Sequence, residues 1–165
     1  MNEVKPIKRS PELRPLSREH HDGLLFVWKI REGLRKGTSI EKVVDFVGWY
    51  WKNHIRPHFY QEEKILAPLI VDNPLIERMK EEHNQIRELL IDMHKDSVPE
   101  DLLRFAGILE SHIRFEEREL FQYLEEHLSP NDLATIHEQL EKHPVHIGNQ
   151  PSNSWKDEFW LRVPS

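Results

Sequence analysis

Three stretches of the chain place apolar residues at helical steps of three and four, and each stripe is broken at a matching depth by histidine or glutamate. The clearest reads Ile76, Met79, His83, Ile86, Leu90, Met93. A second reads Val43, Val47, Tyr50, His54, His58, Glu62, Leu66, Leu69, and a third Leu102, Phe105, Leu109, His112, Glu116, Leu120, Tyr123. Steps of three and four put every member of a stripe on one helix face, directed at a core. No segment alternates with the period of two that strands require. The chain is therefore expected to be all-α.

Caps and breakers divide it. Residues 1–16 hold Pro6, Pro11 and Pro15 with no helical period, which predicts an extended N-terminal arm. Ser17 opens a helix to about Lys36, with Gly37 past its end. Thr38-Ser39-Ile40-Glu41 has the form of a capping box for a second helix reaching about Val71, in which Pro57 should cause a kink or a split. Pro74 begins a third helix, ending near Lys95. Ser97-Val98-Pro99-Glu100 opens a fourth to about Leu128, and Ser129-Pro130-Asn131-Asp132 a short fifth. Long helices with short joints make antiparallel neighbours, so residues 17–142 are expected to form an up-down-up-down four-helix bundle. An irregular tail, 143–165, should pack back through Trp155, Phe159 and Trp160.

Composition narrows the function. With 165 residues and 38% hydrophobic content, one domain can bury a core unaided. The net charge of −6 argues against nucleic acid as a partner. The absence of cysteine excludes disulfides, iron–sulfur clusters and thiol chemistry. The longest apolar run, Ile65 to Val71, contains Pro68 and is too short to cross a membrane. Met1 to Ser17 lacks the apolar stretch of a signal peptide, so a cytoplasmic location is expected.

Eleven histidines remain to be placed. His58-Phe-Tyr-Gln-Glu62-Glu63 is repeated as His112-Ile-Arg-Phe-Glu116-Glu117. Histidine and glutamate four apart stand about 6 Å apart along one helix face, a spacing suited to one pair of metal ligands. His83 precedes Ile86 by three, as His21 precedes Leu24. The chain thus reads as two copies of one hairpin, each with a lone histidine and a His-x-x-x-Glu pair. Four imidazoles and two carboxylates then converge, which points to two metal ions bridged by the glutamates. Buried glutamates need a counter-charge or a metal, and no lysine or arginine stands in the stripes. His20 and His21 are adjacent and only one can face the core. The apolar residue at the third position on favours His21 and leaves His20 as the alternative. His54, one turn before His58, is a candidate fifth ligand, a donor behind the site or a plain core histidine. Glu63 and Glu117 lie about 140° around the helix from their histidines, which places them behind the site or toward solvent. His94, His127, His137, His143 and His146 have no carboxylate at ligand spacing and are expected on the surface or at helix ends.

Over about residues 16–142 the pattern resembles the hemerythrin-like (HHE cation-binding) family, whose four-helix bundles hold a non-haem di-iron centre. The resemblance implies His21, His58, Glu62, His83, His112 and Glu116 as ligands of two iron ions joined by an oxo or hydroxo bridge. It implies a binding or sensing protein rather than an enzyme, with oxygen, nitric oxide, peroxide or anions as small ligands. Any oxidase- or peroxidase-like activity would be secondary. Relatives that carry oxygen have a further histidine one turn along the third helix, where this chain has Arg87, and an Asp where it has Glu117. Two six-coordinate ions offer about twelve positions, of which the residues above and a bridging oxygen fill about ten. Two open positions favour oxygen or redox sensing, or iron handling, over reversible oxygen transport. Arg87, were it to face inward, would hold an anion there. The ferritin-like Glu-x-x-His pattern is missing, and His137-Glu138-Gln139-Leu140-Glu141 lacks the second histidine of a zinc protease. A metal-free bundle serving as a structural or adaptor protein is the alternative. A sensor without an output domain would signal through a separate partner.

Overall fold

The computed structural model describes residues 8–144 and 155–162. Five helices appear in it: α1 (Arg14–Arg35), α2 (residues 40–69), α3 (Pro74–Asp92), α4 (residues 99–127) and α5 (Pro130–Lys142). There is no strand among the described residues. Helix α1 packs on α2 and α4, α3 on α4, and α5 across α2. The all-α bundle expected from the stripes is the observed architecture.

Local chemistry explains the ends. Ser39, Asn73 and Ser129 cap α2, α3 and α5 by accepting the backbone N–H of Lys42, Leu75 and Asp132. At α4 the carboxylate of Asp101 accepts the Val98 N–H, while Ser97 turns back to the N–H of His94. Ser97 is therefore not the cap that the motif proposed. Helix α1 begins at Arg14, ahead of Ser17, because Pro15 fits a first turn and Leu13 and Leu16 extend the buried stripe. Of the expected extended arm, residues 1–7 lie outside the described residues, and Pro11, Glu12 and Leu13 form a turn.

Pro57 does not split α2. The helix widens to π geometry over Trp51–Ile55, just ahead of the proline, and continues. A proline ring strikes the carbonyl four residues back in a regular helix; a wider turn makes room for it. Two further π segments, Glu62–Leu66 and Glu116–Leu120, begin at equivalent points of the repeated motif. In each the glutamate carbonyl accepts a backbone N–H five residues on, from Ala67 and Phe121.

Two apolar layers enclose the polar one. One contains Phe26, Phe46, Val47 and Phe105, the other Leu13, Leu66, Met79 and Phe121. Residues 155–162 close the first layer: Phe159 is fully buried, and Lys36 Nζ donates to the Trp160 carbonyl at 2.6 Å. A Cβ on Gly33 would lie 2.4 Å from Cε2 of Phe159, so only glycine admits the ring. Gly33→Ala should destabilise the protein by about 1–3 kcal/mol, and Phe159→Leu in that background should recover part of the loss. Denaturant midpoints of the two variants check this.

Candidate metal centre

Six side chains meet in the polar layer. Leu13, just ahead of α1, and Leu16, His20, Gly23, Val27 and Ile30 along it form one buried stripe, which brings His20 inward. His21 is exposed and outside the cluster, which corrects the sequence expectation. The rule that chose it requires a large apolar residue three positions after the histidine. After His20 that position is Gly23, where a Cβ would stand 2.8 Å from Ile113 Cδ1. Close packing at a glycine takes the place of a leucine. His58 and Glu62 come from α2, His83 from α3, and His112 and Glu116 from α4, all buried.

The six divide into two groups, each with four ligand atoms mutually within 4.8 Å: His20, His58, Glu62, Glu116 and Glu62, His83, His112, Glu116. Both glutamates belong to both groups. Nε2 of His20 and Nε2 of His58 are 3.0 Å apart. Two nitrogens each about 2.1 Å from one ion and at right angles on it would be separated by about that distance. His83 Nε2 is 3.1 Å from Glu62 Oε1, and His112 Nε2 touches Glu116 Oε1. Glu62 Oε2, His112 Nε2 and both carboxylate oxygens of Glu116 are buried and, although His112 Nε2 and Glu116 Oε1 touch, none makes an aligned hydrogen bond. Buried polar atoms without partners are costly, and here they converge. A bound cation would satisfy them, and imidazole with carboxylate suits a transition metal.

Every histidine of the cluster is backed by a carboxylate at its other nitrogen. Nδ1–H donates from His20 to Glu117 (2.8 Å), from His58 to Glu19 (3.1 Å), from His83 to Glu63 (2.8 Å) and from His112 to Glu82 (2.9 Å). Such bonds fix the tautomer and aim Nε2 inward. Glu63 and Glu117 are thus behind the site, one of the two placements open to them. Glu19 and Glu82 were missed, although a signal exists: Glu19-His20 and Glu82-His83 repeat a dipeptide that His21 does not share.

Other candidates fall elsewhere. His54 lies outside both groups and stacks on Tyr50 at 4.5 Å between ring centroids. Both line a cavity of about 30 Å³ beside His20, His58 and His112, enough for one or two water-sized molecules. Arg87 does not face inward: it donates to Glu63 Oε2 at 2.6 Å and to Asn84. His94, His127, His137 and His143 are exposed, and His146 lies outside the described residues.

Electrostatics follow from burying two acids among four imidazoles. Burial opposes a charged His58, but the Glu62 charge and hydrogen bonds to Glu19 and Glu62 outweigh it and raise the group to about 9. For His83 burial is overcome by Glu116, Glu62 and Glu63, which raise it to about 11. His20 and His112 are raised for the same reasons. Burial and Glu116 push Glu62 up, yet His58 and His20 prevail and hold it at about 2. Glu116 is also lowered, against burial, chiefly by His112.

The family model described as hemerythrin HHE cation binding domain matches residues 12–124. No curated protein and no solved structure matches the chain. No helix among the described residues is long and apolar enough to cross a membrane.

Without metal, the raised histidines contribute stability that is complete below their unfolded value of 6.5 and lost as pH rises through about 9 for His58 and about 11 for His83. The depressed Glu62 contributes above its unfolded value of 4.5 and loses that contribution as pH falls through about 2. The metal-free protein should therefore be most stable between about pH 4.5 and 6.5. Above pH 6.5 it should lose up to about 1.4 kcal/mol per pH unit for each histidine involved. Metal replaces those protons, so the gap in melting temperature between loaded and metal-free protein should widen from pH 6.5 to 9 and narrow in acid. A metal-free melting temperature independent of pH over that range would contradict this account of the cluster.

Proposed function

Since the chain belongs to the hemerythrin HHE cation-binding domain family, we propose that it holds two iron ions and uses them in oxygen or redox sensing or in iron handling, not in reversible oxygen transport. His20 and His58 would hold one ion, His83 and His112 the other, and Glu62 and Glu116 would bridge them. The observation that carries this reading is the sharing of both buried glutamates between the two four-residue groups. Iron so held supplies one-electron redox chemistry and positions for exchangeable small ligands.

The chain's own residues do the rest. Glu19, Glu63, Glu82 and Glu117 orient the four rings. Phe59 lies flat on His83, with 3.7 Å between ring centroids, and covers that half. The cavity walled by Gly23, Tyr50, His54, Ile113 and Leu109 reaches His20 and His58, and also His112, and fits a diatomic molecule. Its remaining wall includes Glu19 and Asp22, and no lysine or arginine lines it, which favours oxygen or nitric oxide over anions. With Arg87 committed to Glu63, neither half has a third histidine. This supports exchange and redox reaction over a single protected position for reversible binding.

Protein purified from iron-replete cells should contain about two irons per chain. His58→Ala, His112→Ala and His20→Ala should each lose most of the metal, whereas His21→Ala, His94→Ala and His137→Ala should keep it. Full occupancy in His112→Ala would show that the ligands are assigned wrongly, and no metal in the wild type would return the chain to the structural reading. The reduced protein should consume oxygen in air irreversibly. Recovery of the dissolved oxygen under vacuum would favour carriage instead.

A further inference from the structure

Three arginines each reach a carboxylate that backs a histidine of the cluster. Arg87 donates to Glu63 (2.6 Å), Arg78 to Glu82 (2.9 Å) and Arg9 to Glu117 (2.9 Å). The first two belong to α3, and their side chains are 35% and 46% exposed, so water screens them. Arg9 is different. It precedes the bundle in sequence, and its side chain is 6% exposed. Its Nη2 also donates to the Glu117 carbonyl at 2.7 Å, fixing main chain and side chain together. Nη1 pairs with Glu125 on α4, and the Ser10 N–H donates to the same carboxylate at 2.5 Å. The guanidinium lies 5.5 Å from the Phe121 ring, on which His20 stacks at 5.1 Å.

We propose that Arg9 is a positioning residue for one half of the metal centre: it holds Glu117 against His20, so that the segment before α1 sets how firmly the ion on His20 and His58 is kept. The inference rests on the two-ion reading above. A histidine binds metal tightly when a fixed carboxylate accepts its other N–H, and charge-assisted bonds to a buried guanidinium fix that carboxylate. Glu117 is itself 21% exposed, so without Arg9 it can turn to water and release the His20 ring. Glu63 and Glu82 have their arginines on α3, and the other half does not depend on the N-terminal segment.

The test uses the full chain loaded with ferrous iron without oxygen, then mixed with excess chelator. Arg9→Met should release one equivalent about tenfold faster than wild type and the second at the wild-type rate. Arg9→Lys should restore part of the slow release. Arg87→Met should leave the His20 half unchanged. Because Arg9 acts through Glu117, the double variant R9M/E117Q should release iron no faster than E117Q alone. Should R9M fail to give a helical circular-dichroism spectrum, Glu125→Gln removes the other anchor of Arg9 and should accelerate the same single equivalent. Equal acceleration of both equivalents, as a general loss of stability would give, overturns the proposal, and so does additivity in the double variant. Wild type that binds two irons together with R9M that keeps both at the wild-type rate overturns this inference alone. Wild type that binds none overturns the two-ion reading and the inference with it.

Discussion

Two fully buried carboxylates, Glu62 and Glu116, set the terms for the rest of the molecule. Among the described residues the basic side chains within 4 Å of them are histidines, with no lysine or arginine. A buried anion without compensation is expensive enough to loosen a bundle of this size. The chain answers with four imidazoles, which can meet the charge with protons or can step aside for a cation. Protonation of that many rings requires each to stay charged above its ordinary range, which holds only below the raised values. A divalent ion would do the same work once those protons are lost, so folding and metal binding would be coupled through the same atoms.

Around that centre the charges are layered. The inner carboxylates face imidazole Nε2 atoms, the Nδ1 atoms face outer carboxylates, and three of those outer carboxylates face arginines. Each layer neutralises the one inside it and fixes its geometry. Apolar layers on either side exclude water, which leaves these pairings less screened than they would be at the surface. The π turns that open at Glu62 and Glu116 belong to the same arrangement. They occur at equivalent points of the repeat, where an inner glutamate is followed at once by an outer one that must reach a histidine on a different helix.

Much of this was legible in the sequence. Apolar periodicity, capping residues and the paired His-x-x-x-Glu-Glu motifs lead to the bundle and to five residues of the cluster, His58, Glu62, His83, His112 and Glu116. His20 was not legible by the rule used, because its stripe continues through Gly23, whose inward role is visible only once Ile113 is seen against it. Of the two outcomes expected at Pro57, the split does not occur, because a π turn that local propensity does not foresee lies ahead of the ring. Glu19 and Glu82 act across helices, on His58 and His112, and such pairing follows from tertiary packing rather than from spacing along one helix. Arg87 occupies the inward-seeming position of a missing histidine, yet its length and charge carry it outward to Glu63 and Asn84.

The two halves have the same donors and different surroundings, and this difference gives the centre a direction. On one side Phe59 stacks on His83, and the Arg87 guanidinium lies 5.6 Å from the Phe59 ring. On the other, Gly23, Tyr50 and His54 are among the walls of the cavity that reaches His20 and His58, and also His112. Burial, reinforced by Asp22 and Glu19, raises Tyr50 above its ordinary value, so its phenol stays neutral at physiological pH. A molecule entering there meets a neutral hydroxyl, an imidazole and two acids at the rim. On the two-ion reading, the His20 side of that cavity is also the half whose histidine would depend on Arg9 and the segment before α1. Access and retention would then be governed from the same side of the bundle, while the half under Phe59 has its backing carboxylates held by arginines of α3.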